Sequence, residues 1–209
     1  MNKNQIALAL STTALRGLAG AGFVLFAAIV LLLPAIEDDY SPVYDAISEG
    51  ALGPYGYLQV AAFFALGIGS ISLATLLLRD IRSPQVGALV GLSGVCMLVA
   101  GAFPADRMDS ASTTTHGTIH LLAAALAFVA VIGAMLLSAR QFRSNETLRP
   151  LARRSFALGL AALALFVMAG AGIGPFGLIQ RANVAVVLVW LISVALRHRR
   201  EPTPRARSA

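Results

Sequence analysis

The chain has 209 residues, of which 57% are hydrophobic and only 12% are charged, with a formal net charge of +6. Soluble domains carry charge on about a quarter of their residues, so this composition excludes an ordinary water-soluble fold. The basic balance does not indicate nucleic acid binding, because the lysines and arginines flank apolar runs and form no single aqueous patch.

Six apolar runs are long enough to cross a bilayer, which takes roughly 20 residues of helix. We therefore predict an all-α integral membrane protein with six transmembrane helices. The first run exceeds the apolar core of a signal peptide, and no small-residue cleavage site follows Pro34, so we expect it to be retained. Turn residues at 172–177 predict a reversal between the last two spans, with one bent helix as the alternative. The predicted spans are 13–36, 57–78, 84–103, 118–139, 155–174 and 178–196.

The positions of the basic residues predict the orientation, because positively charged loops resist translocation. Of the 16 lysines and arginines, all except Arg107 and Arg181 lie before or at the start of the first span, in the second and fourth loops, or after the sixth span. We therefore expect both termini in the cytoplasm and a multi-pass location in a plasma (inner) membrane. Residues 1–200 are predicted to form a single membrane domain, and 201–209 a basic cytoplasmic tail that contacts lipids.

Small residues on the first three spans predict close helix packing within the chain, whereas the oligomeric state is not predicted. The middles of the spans carry no charged side chain, which counts against a proton-coupled transporter. A helix broken at 67–69 would still suit a small-solute transporter. The glycines concerned are Gly17, Gly20, Gly22, Gly67, Gly69, Gly87, Gly91 and Gly94.

The first outer loop is acidic and contains no lysine or arginine. Its residues 41–50 predict a short amphipathic helix, with Ser41 as N-cap, Pro42 in the first turn and Gly50 at the end. Such a helix either lies among the lipid headgroups with its acids solvated or contributes to a site. Its polar face would carry Asp45, Ser48 and Glu49.

Two histidines, His116 and His120, begin the fourth span four residues apart. Residues at this spacing share one face of a helix, so both imidazoles can address one metal ion or substrate. Alternatively, His116 caps the helix in water and His120 bonds a backbone carbonyl. The depth of His120, about one turn inside the apolar boundary, favours a site, since an imidazole there needs a partner.

The divalent metal suggested by this pair is zinc, although a metal-free site is equally open. The third histidine, His198, falls in the tail, and Cys96 is the only cysteine, so an acidic residue must complete any metal site. We predict His116, His120 and Asp106 as the ligands, with Asp45 or Glu49 as other third ligands. Without metal, one histidine would act as general base, an aspartate would orient it, and Ser48 would be the nucleophile.

Three segments carry a family resemblance: Ser-Pro-Val-Tyr-Asp-Ala-Ile-Ser-Glu at 41–49, Phe-Pro-Ala-Asp ending at Asp106, and His-Gly-Thr-Ile-His from His116. Together they resemble the prokaryotic membrane family called domain of unknown function 998, over nearly the whole chain. That resemblance implies a six-helix membrane fold but does not indicate which activity the protein has. Partial likenesses to the alkaline ceramidase and progestin/adiponectin receptor superfamily, and to Frag1-type proteins, imply lipids as substrates or partners.

The leading hypothesis is an outer-face site that binds, hydrolyses or transfers a lipid headgroup or lipid-linked substrate. One alternative is a non-enzymatic membrane partner or sensor, in which the same groups hold the first outer loop against the helix ends. A small-solute transporter is the third possibility. The candidate catalytic residues are Ser48, Asp106, His116 and His120, and the candidate substrate-binding residues are Tyr44, Asp45 and Glu49.

Overall fold

The computed structural model describes residues 11–79 and 83–197, and these ranges contain helices and turns without a β-strand. The predicted tail, 201–209, and His198 lie outside them. The long helices are α1 Thr12–Leu32, α2 Gly56–Arg79, α3 Pro84–Ala102, α4 Thr115–Gln141, α5 Ala152–Gly170 and α6 Phe176–Arg197. Short 3-10 helices occupy Leu33–Ala35, Ile47–Ala51, Phe142–Ser144 and Arg149–Leu151. Within the described ranges six helices are long and apolar enough to cross a membrane, which confirms the six predicted spans.

Local hydrogen bonds explain where individual helices begin and end. Helix α4 starts three residues before the predicted span, because the hydroxyl of Thr114 accepts the Gly117 N–H at 3.0 Å and caps the helix. Helices α5 and α6 are separate, so the bent-helix alternative does not apply. Gly172 and Gly174 adopt φ angles of 67° and 80°, a left-handed region that glycine enters at little cost, and the chain reverses there.

Each helix packs against the next one along the chain, and α6 also packs against α1, which closes the bundle. The largest fully buried side chain is that of Trp190 on α6, and Phe23, Phe26 and Met135 are also buried in the core. Many large apolar side chains instead face outward, as expected for helices whose outer surface meets lipid. Examples are Leu31, Leu121, Val24 and Val167.

Glycines allow the first three helices to approach closely, as predicted. A β-carbon at Gly22 on α1 would overlap the carbonyl oxygen of Ala65 on α2. Between α2 and α3, a β-carbon at Gly67 would lie 2.9 Å from the Gly94 carbonyl oxygen. Helix α2 is continuous through Gly67 and Gly69, so the chain shows no broken helix at 67–69.

The first loop differs from the predicted amphipathic helix over 41–50, because only Ile47–Ala51 is helical, as a 3-10 helix. Ala46 is extended, with ψ 149°, and separates this helix from a preceding turn. In that turn Ser41 is not an N-cap; instead the Asp45 carboxylate accepts the Ser41 N–H at 2.7 Å. The segment then docks on α6, where Leu178 N–H donates to the Val43 carbonyl at 2.9 Å. Tertiary contacts therefore override the local helix signal.

The loops fall at two ends of the bundle. The first-loop end carries the α1–α2 and α3–α4 loops and the turn between α5 and α6. The arginine end carries the start of α3, the α4–α5 connection and the end of α6. This grouping matches the division of charge in the sequence, whereas the side on which each end lies stays a prediction.

Candidate functional site

An inner cavity of about 70 Å³ lies within the bundle, beneath the 3-10 helix Ile47–Ala51. Five of the six helices line it, mostly with apolar side chains such as Phe26, Phe63 and Val187. Among the residues that the structure describes, no aspartate, glutamate, lysine or arginine lines it. The polar lining residues are Ser48, Ser70, Ser93, His120 and Gln180.

His120 is almost fully buried, with 6% of its surface exposed, and its ring is held by backbone. Its Nδ1 lies 2.8 Å from the Ala100 carbonyl oxygen and 3.0 Å from that of Phe103. Because carbonyl oxygens only accept, Nδ1 carries the proton, and in the neutral ring Nε2 then holds a lone pair. Nε2 has no hydrogen-bond partner among the described residues. The His120 ring is therefore held in place through Nδ1, while Nε2 can accept a hydrogen bond from a ligand.

Two further polar side chains complete the first-loop end of the cavity. Ser48 is half-buried within the 3-10 helix. The Gln180 carbonyl oxygen accepts the Ile47 N–H at 2.7 Å, which anchors the loop to α6. The amide NH₂ of Gln180 makes no hydrogen bond within the described part of the chain. The cavity thus offers a hydroxyl, an acceptor nitrogen and an amide donor.

A second, outer cavity of about 510 Å³ opens at the first-loop end and is strongly acidic. It is separate from the inner cavity: neighbouring residues of the 3-10 helix divide between them, with Ser48 lining the inner one and Glu49 the outer one. A concave surface with this much negative charge raises the local concentration of cations. Its charged lining residues are Glu37, Asp38, Asp39, Asp45, Glu49 and Arg107.

Two carboxylates that line the outer cavity also accept hydrogen bonds from neighbouring segments of the chain. Glu37 and Glu49 are 7% and 9% exposed. Glu37 Oε1 accepts the Tyr55 N–H at 2.7 Å, and Glu49 Oε1 accepts the N–H of Met108 in the α3–α4 loop. These bonds hold the first loop to the start of α2 and to the neighbouring loop. Tyr44, predicted to bind substrate, is 69% exposed and lines neither cavity.

Asp106 fixes the start of α4, and neither of its carboxylate oxygens bonds a histidine among the described residues. One carboxylate oxygen accepts the Thr114 N–H at 2.7 Å, and the other accepts the Thr114 hydroxyl at 2.8 Å. The carboxylate lies directly against Gly117, where a β-carbon would overlap it. The Phe-Pro-Ala-Asp and His-Gly-Thr-Ile-His motifs therefore meet through Asp106 and Gly117.

The predicted metal ligands are not brought together. His116 is exposed at the surface, with its ring 5.6 Å from the Phe103 ring. His120 already uses Nδ1 on backbone carbonyls, and Asp106 uses both oxygens on Thr114. Within the described ranges, no three histidine, cysteine, aspartate or glutamate side chains are placed to hold a metal ion.

Arg181 and Tyr40 form a contact that the sequence analysis did not identify. Arg181 donates to the carbonyl oxygens of Asp45 at 2.9 Å and Gly177 at 3.2 Å, and also to the Tyr40 hydroxyl. Its guanidinium lies 5.3 Å from the centre of the Tyr40 ring. Burial raises the pKa of Tyr40 to about 12, although the Arg181 charge opposes that shift. The sequence did contain one indication of this contact. Arg181 is one of only two basic residues, with Arg107, on the same side of the spans as the acidic first loop.

An all-α bundle of six apolar helices, with polar loops at both ends, is a multi-pass membrane protein. The family model described as "Protein of unknown function (DUF998)" matches residues 20–197. The chain therefore belongs to this family, as its motifs indicated. No curated protein and no solved structure matches the chain significantly.

Proposed function

We propose that this protein binds a neutral lipid, or a similar uncharged amphiphile, in the inner cavity. One observation carries the proposal: Ser48, His120 and Gln180 line the same cavity, and none of the described residues that line it is formally charged. The ligand's polar group bonds to these three side chains, while an apolar chain contacts α4 and α6. Membrane lipids are accordingly the proposed partners.

The chemistry of the lining selects an uncharged polar group. Burying an ion without a compensating charge is far more costly than burying a hydroxyl or ester that is hydrogen-bonded. Ser48 both donates and accepts, the Gln180 amide donates, and Nε2 of His120 accepts, which matches an alcohol or ester. A space of about 70 Å³ holds only a few waters or part of one acyl chain, so most of the ligand stays outside.

A photoreactive monoacylglycerol whose diazirine lies on the first carbons of its chain, next to the ester, tests binding in lipid nanodiscs. Label is expected on the cavity-facing residues of α4 and α6 after digestion and mass spectrometry. Ala124→Leu fills the cavity and should reduce this labelling several-fold. The matched control is Ala125→Leu on the same helix, because Ala125 does not line the cavity. Labelling that is equal in both variants and the wild type would rule the cavity out as the binding site.

Hydrolysis of a lipid ester is the second candidate, favoured by Ser48 and His120 lining one space. Ser48 Oγ would attack the ester carbonyl while His120 Nε2 takes the hydroxyl proton. The C–O bond to the leaving alcohol breaks, that alcohol takes the proton from His120, and water then releases the acid from the acyl-serine. Transfer follows the same course when a second alcohol replaces water.

Release of fatty acid from monoolein tests this candidate. Ser48→Ala and His120→Gln should each abolish it, since Gln can still donate to the Ala100 and Phe103 carbonyls and keep the helix contact. Ser144→Ala at the arginine end is the control. Zinc content of the purified wild type is measured alongside. Wild-type protein that binds monoolein without hydrolysing it would leave binding as the function.

The inner cavity lies toward the first-loop end, which we place on the extracytoplasmic side of the plasma membrane because the other end carries most arginines. Single cysteines at Asp109 and at Arg143 test this in intact cells, since Cys96 is buried and contributes little background. A membrane-impermeant maleimide should label Asp109→Cys and spare Arg143→Cys. The opposite pattern would invert the orientation.

A further inference from the structure

A groove of about 320 Å³ lies between the first two turns of α5 and the last three turns of α6. Ala157 and Leu158 form one wall and Val189 the other, with Trp190 at the base. The indole N–H of Trp190 donates to the Ser155 hydroxyl at 2.9 Å, so the polar atom of the base is already satisfied. Ala157 and Val189 are exposed, so the groove opens on the outer surface of the bundle, where lipid chains lie.

A cationic side chain stands at the arginine end of this groove. Arg154 lines the groove, is exposed, and makes no hydrogen bond or ion pair with any residue in the described ranges. Glu146 is the only acid among the described residues of this end. The arginines described there are Arg16, Arg79, Arg140, Arg143, Arg149, Arg153, Arg154 and Arg197.

The local backbone also favours an anion. Arg153 and Arg154 occupy the first turn of α5, which contains no acidic residue. The helix macrodipole places partial positive charge at that same end, so two arginines there are unfavourable unless an anion is near. A phosphate beside Arg154 would be attracted by the guanidinium, by the helix dipole and by the surrounding arginines.

We infer that this groove binds an anionic phospholipid of the surrounding bilayer, with its phosphate at Arg154 and one acyl chain along Leu158 and Val189 over Trp190. The apolar walls of the groove suit an acyl chain, and the positive charge of Arg154 favours an anionic headgroup. A zwitterionic phospholipid offers the same chain, but its own cation offsets the attraction. This site is distinct from the inner cavity and does not depend on the function proposed for it.

Trp190 is the only tryptophan of the chain and reports directly on the groove. The test measures its fluorescence in nanodiscs that contain either phosphatidylglycerol or phosphatidylcholine with dibrominated acyl chains at equal mole fraction. Bromine quenches only at short range. Brominated phosphatidylglycerol should quench more strongly than brominated phosphatidylcholine at low salt, and added salt should reduce the difference. Equal quenching by the two lipids in the wild type would overturn the proposal.

Two variants on adjacent residues separate the groove from a diffuse basic surface. Arg154→Gln should weaken the preference for phosphatidylglycerol about fivefold, the change expected when one arginine loses its contact with anionic lipid. Arg153→Gln removes the same charge from the same turn but does not line the groove, and should retain most of the preference. Equal losses in the two variants would contradict a site at Arg154.

Discussion

Asp106 and Thr114 are joined by two hydrogen bonds that use both oxygens of the carboxylate, at 2.7 and 2.8 Å. Thr114 in turn caps α4 through the Gly117 N–H. The α3–α4 loop is therefore closed on itself at the point where α4 begins. His116 and His120 follow within the first two turns, so this closure sets the position of both rings.

Removing the Asp106 side chain should destabilise the fold. Asp106→Ala leaves the Thr114 N–H without its partner, and we expect a loss of about 1 to 2 kcal/mol, measured by thermal unfolding in detergent. Asp109→Ala is the matched control, because its exposed pair with Arg107 should contribute little. An Asp106→Ala protein as stable as the wild type, yet inactive, would instead point to a chemical role for the carboxylate.

Tyr40 should make stability depend on pH in the alkaline range. Its pKa is raised from 10.0 to about 12 in the fold, so the unfolded chain ionises first, and the stabilisation is lost as pH rises from 10 toward 12. Tyr40→Phe keeps the ring under Arg181 and should remove this part of the pH dependence. Tyrosinate absorbance should show one tyrosine titrating near 12 that is missing in Tyr40→Phe. If the tyrosine that is missing in Tyr40→Phe titrates near 10 instead, burial does not raise the pKa of Tyr40.

The apolar runs predicted the bundle well because the cost of exposing backbone to hydrocarbon leaves few alternatives to helices. The first loop was predicted less well, because contacts with distant parts of the chain determine its conformation. Its helix signals are local, whereas the bonds from Gln180 and Leu178 that shape it come from residues more than 130 positions away along the chain. Sequence spacing alone could not supply those contacts.

The candidate site was predicted in part. Ser48 and His120 do line one cavity, although they are distant in sequence. The helical-face argument that grouped Ser48 with Glu49 assumed an α-helix, whereas this segment is a 3-10 helix that separates an inner from an outer cavity. Gln180 was missed because a single glutamine near a helix end has no distinctive sequence signal.

Gln59 on α2 should tolerate replacement by an apolar residue. Its side chain is fully buried, and neither its amide nitrogen nor its oxygen finds a partner among the described residues. Gln59→Leu removes two unsatisfied polar atoms, so we expect stability to stay level or to rise by about 1 to 3 kcal/mol in thermal unfolding. Gln85→Leu, which removes an exposed contact with Gln141, is the control and should bring no gain. A clear loss in Gln59→Leu would show that the amide binds an internal water.

Glycines two positions apart on α1 should respond oppositely to the same substitution. A β-carbon at Gly20 meets nothing within 4 Å, so Gly20→Ala should stabilise α1 through helix propensity, by up to about 1 kcal/mol. At Gly22 the new atom would overlap the Ala65 carbonyl oxygen and lie 3.1 Å from the Gly69 α-carbon, both of them backbone atoms that cannot rotate away. Helices α1 and α2 must then separate, at a cost of about 1 to 3 kcal/mol. Thermal unfolding of the two variants measures the difference, and equal stability would mean that the contact of α1 with α2 is looser than the backbone positions require.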